Sequence, residues 1–156
     1  MIGYFIAAGD PRVGNLLNPY LWGSDGLARL LKPLKEKDYG PALKLLLIEY
    51  YVEGGFSSFF NVTEIKVRNY SSKNKDISVK IPVMRIDFHD RDDLSRRRFL
   101  LQTTLEAIEL VRSRMERRKL VVDFELLRHD VETIGRRFLQ STSKVEKTLL
   151  IKHSVT

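Results

Sequence analysis

Cysteine is absent from the 156 residues. That excludes a disulfide framework, a thiolate metal site and a cysteine nucleophile, and it fits a reducing cytoplasm. Long apolar runs are also missing: no stretch approaches the roughly 20 apolar residues that span a bilayer. The first ten residues, Met1 to Asp10, lack the basic start of a signal peptide, and Asp10 cuts their apolar run short. A soluble, cytoplasmic protein with no membrane partner is expected. There is no Gly-x-Ser-x-Gly elbow, and Gly54-Gly55 lacks the spacing and the Lys-Ser/Thr of a phosphate loop. Internal repeats and low-complexity tracts are absent too. These absences leave no catalytic motif, so the expectation is a non-enzymatic protein with no cofactor, no metal and no small-molecule substrate.

What is present is an ordinary globular composition, 43% apolar and 30% charged. The length suits a single domain, residues 1–156, able to bury a core without staples. The formal net charge of +7 and pI near 9.7 favour an anionic partner. Residues 91–119 hold nine Arg/Lys against five Asp/Glu, a surplus of +4, so over half of the net charge sits in one segment. A solvated helix face accounts for such a cluster as readily as a binding surface does.

The chain is organised around Leu43 to Gly55. Its β-branched and aromatic content and its Gly-Gly stop mark a strand, with Leu46, Ile48, Tyr50 and Val52 on one face. Residues 1–41 read as a lead-in. Ile2 to Ala8 is a short strand or a surface segment, Gly14 to Gly26 is loop-like, and Ser24 is placed to cap a short helix, Leu27 to Leu31, that stops before Pro33. Residues 42–90 form the sheet. Thr63 to Tyr70 and Ile77 to Val83 alternate around the polar turn Ser71 to Asp76, as in a β-hairpin, with Glu64, Lys66 and Arg68 on the polar face of the first arm and Ser78 and Lys80 on that of the second. Pro82 lacks the N–H of a ladder donor, which assigns it to an edge or bulge, and Arg85 to Phe88 continues the strand after the kink.

Residues 91–140 change period. Leu94, Leu101, Leu105, Ile108, Val111 and Met115 make one apolar stripe on a helix from about Asp93 to Lys119, capped by Asp92 or Asp93. The cations at its end, Arg112 to Lys119, suit the negative pole of the helix dipole, whereas Arg96, Arg97 and Arg98 in the first turns oppose the positive one. Asp123 caps a second helix striped by Phe124, Leu127, Val131, Ile134 and Phe138. The tail, 141–156, is compatible with a docked strand or a short helix. The expected fold is α+β: a small antiparallel β-meander packed on one face by two C-terminal amphipathic helices.

Three constellations bear on chemistry. Glu64-Ile65-Lys66 has the E-x-K form of metal-dependent nucleases, with Glu53 as a further ligand, but any solvated strand face alternates charge in this way. Asp87-Phe88-His89-Asp90-Arg91-Asp92-Asp93 gathers metal-ligand types. It lies where a strand hands over to a helix, and there aspartate serves turn and cap. His129 and Asp130 are helix neighbours that point apart. For nucleic acid, the basic helix 93–119 supplies phosphate contacts, and Trp22, Phe59, Phe60 or Tyr70 offers stacking.

The run Leu27-Ala-Arg-Leu-Leu-Lys-Pro-Leu-Lys-Glu-Lys-Asp-Tyr-Gly40, continuing through Leu45 to Gly55, resembles small bacterial immunity proteins, which protect a cell from polymorphic toxins. The likeness extends through Val67-Arg-Asn-Tyr-Ser-Ser-Lys73 and Ile77-Ser-Val-Lys-Ile-Pro-Val83, roughly residues 27 to 119. It implies a non-enzymatic toxin inhibitor that binds one cognate toxin domain and blocks its active site. A basic chain departs from the acidic character frequent among inhibitors of nuclease toxins. That departure points to an acidic toxin domain, or to one that is not a nuclease. The contact residues expected are Arg96, Arg97 and Arg98, with the solvent-side Glu49, Tyr51 and Glu53, because arginine and tyrosine are enriched at interface hot spots. A nucleic-acid-binding protein is the second reading, and a metal-dependent nuclease using Glu53, Glu64 and Lys66 the third.

Overall fold

The computed structural model describes residues 11–53 and 64–154. Alternating side chains give β1, Leu45–Glu53, two unlike faces. Leu46, Ile48, Tyr50 and Val52 are buried, while Leu45, Leu47, Glu49 and Tyr51 keep solvent contact. β3, Asp76–Met84, repeats the pattern with Ile77, Val79, Ile81 and Val83 inside. β2 is only Lys66–Val67.

The strand order is β1-β3-β2. β2 and β3 pair antiparallel, as a hairpin should. β1, however, runs parallel to β3 through nine register pairs, from Leu45↔Asp76 to Glu53↔Met84. The class is α+β, but the sheet is mixed and not a meander. The stretch between β1 and β3 exceeds the dozen or so residues that a parallel crossover needs, so chain length permits either direction. Pro82 sits on the central strand, yet β2 reaches only Val79 and Lys80. Beyond them β3 has β1 alone as a described neighbour, so Pro82 occupies a local edge.

The lead-in differs from expectation. Residues 14–26 are not loop-like throughout, because Pro11–Leu21 is a helix, α1, with Pro19 inside it. Leu17, Tyr20 and Leu21 bury one side of that helix, and their burial outweighs the helix-breaking cost of a proline in its last turn. α2, Leu27–Leu31, is capped by Gly26 without a side-chain bond, so Ser24 is not its cap. A 3-10 turn, Lys32–Glu36, follows with Pro33 near its start. Ile2 to Ala8, the Gly54-Gly55 stop, and Phe56, Phe59 and Phe60 lie outside the described residues. Arg85–Asp90 is a short helix, α3, and not a strand extension.

α4, Asp93–Arg117, starts where Ser95 donates its N–H to Asp92 Oδ1 at 2.7 Å. α5, Phe124–Ser154, starts where Leu126 donates to Asp123 Oδ1 at 3.0 Å. It continues helically through the expected tail. Among the described residues no helix is long and apolar enough to cross a membrane. Gly135 lets α4 and α5 approach closely, since a Cβ there would stand 2.5 Å from Leu101 Cδ1. Among the described residues, α4 packs on the buried face of the sheet: the Tyr50 hydroxyl donates to Leu100 O of α4 at 3.0 Å and shares a further hydrogen bond with the Thr104 hydroxyl. The lead-in is tied to α5 by Tyr39, whose hydroxyl donates to Asp130 Oδ2 at 2.7 Å, and by Lys37, 3.0 Å from the same oxygen.

Burial pushes the Tyr50 hydroxyl up to about 12, despite opposing hydrogen bonds from Thr104 and Thr103. Burial first, then the Asp130 carboxylate, raises Tyr39 as well. A raised phenol holds its proton longer in the folded chain than in the unfolded one, where it titrates near pH 10. Its stabilisation is therefore complete below about pH 10 and declines as pH rises toward the folded value. Tyr50 alone lowers unfolding free energy by roughly 1 kcal/mol at pH 11. Guanidinium titrations at a series of alkaline pH values check this, and Tyr50→Phe flattens the slope.

Candidate functional site: the open face of the sheet

Because the helices occupy one side of the sheet, alternate residues of its strands project together on the other. From β1 these are Leu45, Leu47, Glu49 and Tyr51. From β3 they are Asp76, Ser78, Lys80, Pro82 and Met84, and from β2 Lys66, which stands in register with Lys80. Tyr51 is held at the centre: its hydroxyl donates to Glu49 Oε2 at 2.9 Å, and Lys80 Nζ lies 4.7 Å from its ring centroid. Neighbouring Pro82 and the half-exposed Met84 extend the apolar surface around it. Toward the start of β1 the face sinks into a recess of about 270 Å³, floored by Leu45, Leu47 and Ser78 and walled by Arg68, Asn69 and Asp76. Glu53 is in register with Met84 at the far end of β1, and its side chain lies outside the described residues.

On the helical side, Arg112 pairs with Glu116 at 2.9 Å and Glu125 at 2.7 Å, and Arg128 pairs with Glu109 at 2.7 Å and Glu132 at 2.8 Å. These carboxylates hold both guanidiniums more firmly protonated, Glu116 dominating at Arg112 and Glu132 at Arg128. On the sheet side, no ion pair among the described residues involves Lys66, Arg68 or Lys80. Lys66 and Lys80 stand in register across the β2–β3 pairing, and Lys80 is also in register with Glu49 of β1. Like charges opposite each other on a sheet face are unfavourable unless an anion joins them.

Of the six expected contact residues, the structure brings Glu49 and Tyr51 together and sets the arginine triplet on another element, α4. Arg96 turns inward, donating from Nε to Phe88 O at 2.9 Å, from Nη1 to the Tyr20 hydroxyl at 3.1 Å and from Nη2 to His89 O at 2.6 Å. Two of these acceptors are carbonyls at the end of α3, which explains why a cation stands in a first turn of α4. Arg97 is 8% exposed. Its Nε is 3.2 Å from Asp93 Oδ2, its Nη1 is 3.2 Å from Phe138 O, and its guanidinium lies between the rings of Tyr20 and Phe138 at 5.4 and 4.9 Å. Only Arg98 of the three is exposed.

The aspartate-rich run serves structure: Asp87 accepts from Arg91 at 3.0 Å, Asp92 caps α4 and Asp93 accepts from Arg97. Among the described residues no three His, Asp or Glu side chains gather as a metal site. Glu64 is exposed ahead of β2. His129 is exposed, while Asp130 is taken up by Tyr39 and Lys37. Of the stacking candidates, Tyr70 is buried beneath Arg118, Trp22 is 43% exposed, and Phe59 and Phe60 lie outside the described residues. Sequence reasoning placed Lys66, Arg68 and Lys80 on polar strand faces without joining them. The signal was there, in cations at alternate positions on both arms of one hairpin.

The chain matches no curated protein and no solved structure. Residues 18–148 match the family model described as Immunity protein 44. That match takes in every described strand, the last turn of α1 and most of α5, so the open sheet face and the helical layer behind it are both features of a chain that belongs to the Immunity protein 44 family.

Proposed function

We propose that this immunity protein is a non-enzymatic, cytoplasmic inhibitor that binds one cognate toxin domain through the open face of its sheet and blocks the toxin's active site. Membership of the family supports a protein toxin as partner. The observation that carries the choice of surface is Tyr51, partly exposed on the sheet face with Pro82 and Met84 beside it and the Lys80 ammonium over its ring. Lys66, Arg68 and Lys80 stand on the same sheet face as Tyr51 and form no ion pair among the described residues, whereas Arg112 and Arg128 on the helical side are held by glutamates. Aromatic anchors ringed by charge are the usual make-up of an interface hot spot. Glu49 orients Tyr51, Glu53 extends the surface along β1, and Arg98 makes a separate contact from α4. Arg96 and Arg97 act as scaffold.

The nucleic-acid reading through the basic helix loses support. Arg96 and Arg97 are internally bonded, Arg112 is ion-paired, and Arg118 lies 5.3 Å over the Tyr70 ring. The test is a pulldown of tagged protein from its own cells with nuclease added, at low and high salt. The recovered protein is then purified and expressed with and without this chain. One toxic protein, neutralised by co-expression, is the expected result. Recovery of nucleic acid alone, released at high salt, overturns the proposal. Tyr51→Ala is expected to weaken the toxin complex about 10- to 30-fold by calorimetry, as for a central aromatic anchor.

A further inference from the structure

The recess beside Arg68 specifies more than a docking side. It forms because β2 ends at Val67 while the chain still follows β3 for one residue: Arg68 N–H donates to Ser78 O at 2.8 Å. Tyr70 then turns into the core, its hydroxyl donating to Ala42 O at 2.5 Å. Arg68 and Asn69 are left standing as a wall above the floor of Leu45 and Leu47, and Leu45 is 37% exposed there. An apolar floor beneath an exposed guanidinium that forms no ion pair among the described residues is half of a recognition site.

We propose that the recess takes an apolar side chain from an acidic segment of the toxin, and that a carboxylate next to that side chain forms a bidentate pair with Arg68. Further carboxylates on the segment lie against Lys66 and Lys80. The inference rests on the immunity reading above and names the chemistry of the partner at the same face. Arginine's planar fork matches a carboxylate with two parallel hydrogen bonds, which fixes register as well as adding affinity. The distance along β1 from Leu45 to Tyr51 is about 20 Å, so the recess and the Tyr51 anchor belong to one interface of standard size.

Two other occupants fit less well. A nucleic-acid backbone gains nothing from the apolar floor of Leu45 and Leu47. A second copy of this chain, meeting face to face, sets Lys66 and Lys80 against their own like charges.

The test uses the purified toxin domain recovered with the wild-type chain. Its affinity is measured by calorimetry for wild type, Arg68→Glu, Leu47→Lys and, on the helical side, Arg112→Glu. Arg68 is exposed and its side chain makes no hydrogen bond or ion pair among the described residues, so Arg68→Glu keeps the wild-type melting temperature. Arg68→Glu is expected to weaken binding about 30-fold or more and to flatten its salt dependence, with Arg112→Glu within about threefold of wild type. A toxin carboxylate changed to lysine restores binding to Arg68→Glu. Unchanged toxin affinity in Arg68→Glu overturns this inference and leaves the immunity reading standing. So does a DNA affinity that alone responds to the substitution. If the wild-type chain binds no toxin, the immunity reading itself falls.

Discussion

Phe138→Ala lowers the unfolding free energy by about 3–5 kcal/mol, the usual cost of emptying a fully buried aromatic site. Phe138 is 0% exposed. Its ring supports one side of the Arg97 guanidinium at 4.9 Å, and its carbonyl accepts from Arg97 Nη1 at 3.2 Å. Truncation leaves a cavity between α4 and α5 and takes away the π-face that offsets the desolvation of the cation. Gly135 brings the two helices too close for neighbouring side chains to swing freely into that space. Chemical denaturation monitored by circular dichroism measures the change. A loss under about 1 kcal/mol would mean that the helices collapse onto the gap, and the close-packed account of this seam would be wrong.

Arg97→Ala is expected to lower stability by about 3 kcal/mol, through the buried stem as much as the charge. The Asp93 partner is partly exposed, with 35% of its side chain in solvent, so it rehydrates once abandoned and the loss stays below that of a stranded buried ion. Arg97→Lys recovers little of the deficit, because an ammonium cannot reach Asp93 and the Phe138 carbonyl together while lying flat against Tyr20. A double-mutant cycle of Arg97→Ala with Phe138→Leu separates the cation–ring term from the packing term. The functional readout differs. Near neutral pH and well below the melting temperature, Arg97→Ala binds the toxin domain with wild-type affinity if Arg97 is scaffold. An affinity loss without a stability loss would return the arginine triplet to the interface.

The contrast between Arg97 and Arg68 shows why residue type alone misdirects. Three consecutive arginines in a first helical turn oppose the dipole, and from local sequence a partner is the natural explanation. The partner proves to be the chain's own: carbonyls at the end of α3, the Tyr20 ring and hydroxyl, and Phe138 from α5. Besides Asp93, one turn back, and the nearby α3 carbonyls, the partners are Tyr20 and Phe138, which lie 76 residues from Arg96 and 41 from Arg97 in sequence. Arg68 looked like an ordinary polar position on an alternating strand. It stands out only because β2 stops one residue before it and Tyr70 leaves for the core.

What the sequence determined by itself is what short-range physics controls. Period-two alternation marked Leu46 to Val52 and Ile77 to Val83 as half-buried strands. The three-four spacing from Leu101 to Met115 and from Phe124 to Phe138 marked two helices, and Asp92 and Asp123 marked their starts. These depend on neighbours within a few residues, where side-chain direction and hydrogen-bond reach leave little choice. Tertiary structure alone decided the parallel pairing of β1 with β3, the helix that Pro11–Leu21 forms despite Pro19, and which arginines face inward. Strand direction depends on where a long connection runs, and a proline-containing helix survives on the surface it buries against other elements. The face that carries Tyr51 and Lys80 is open because the described helices that meet the sheet lie against its other side.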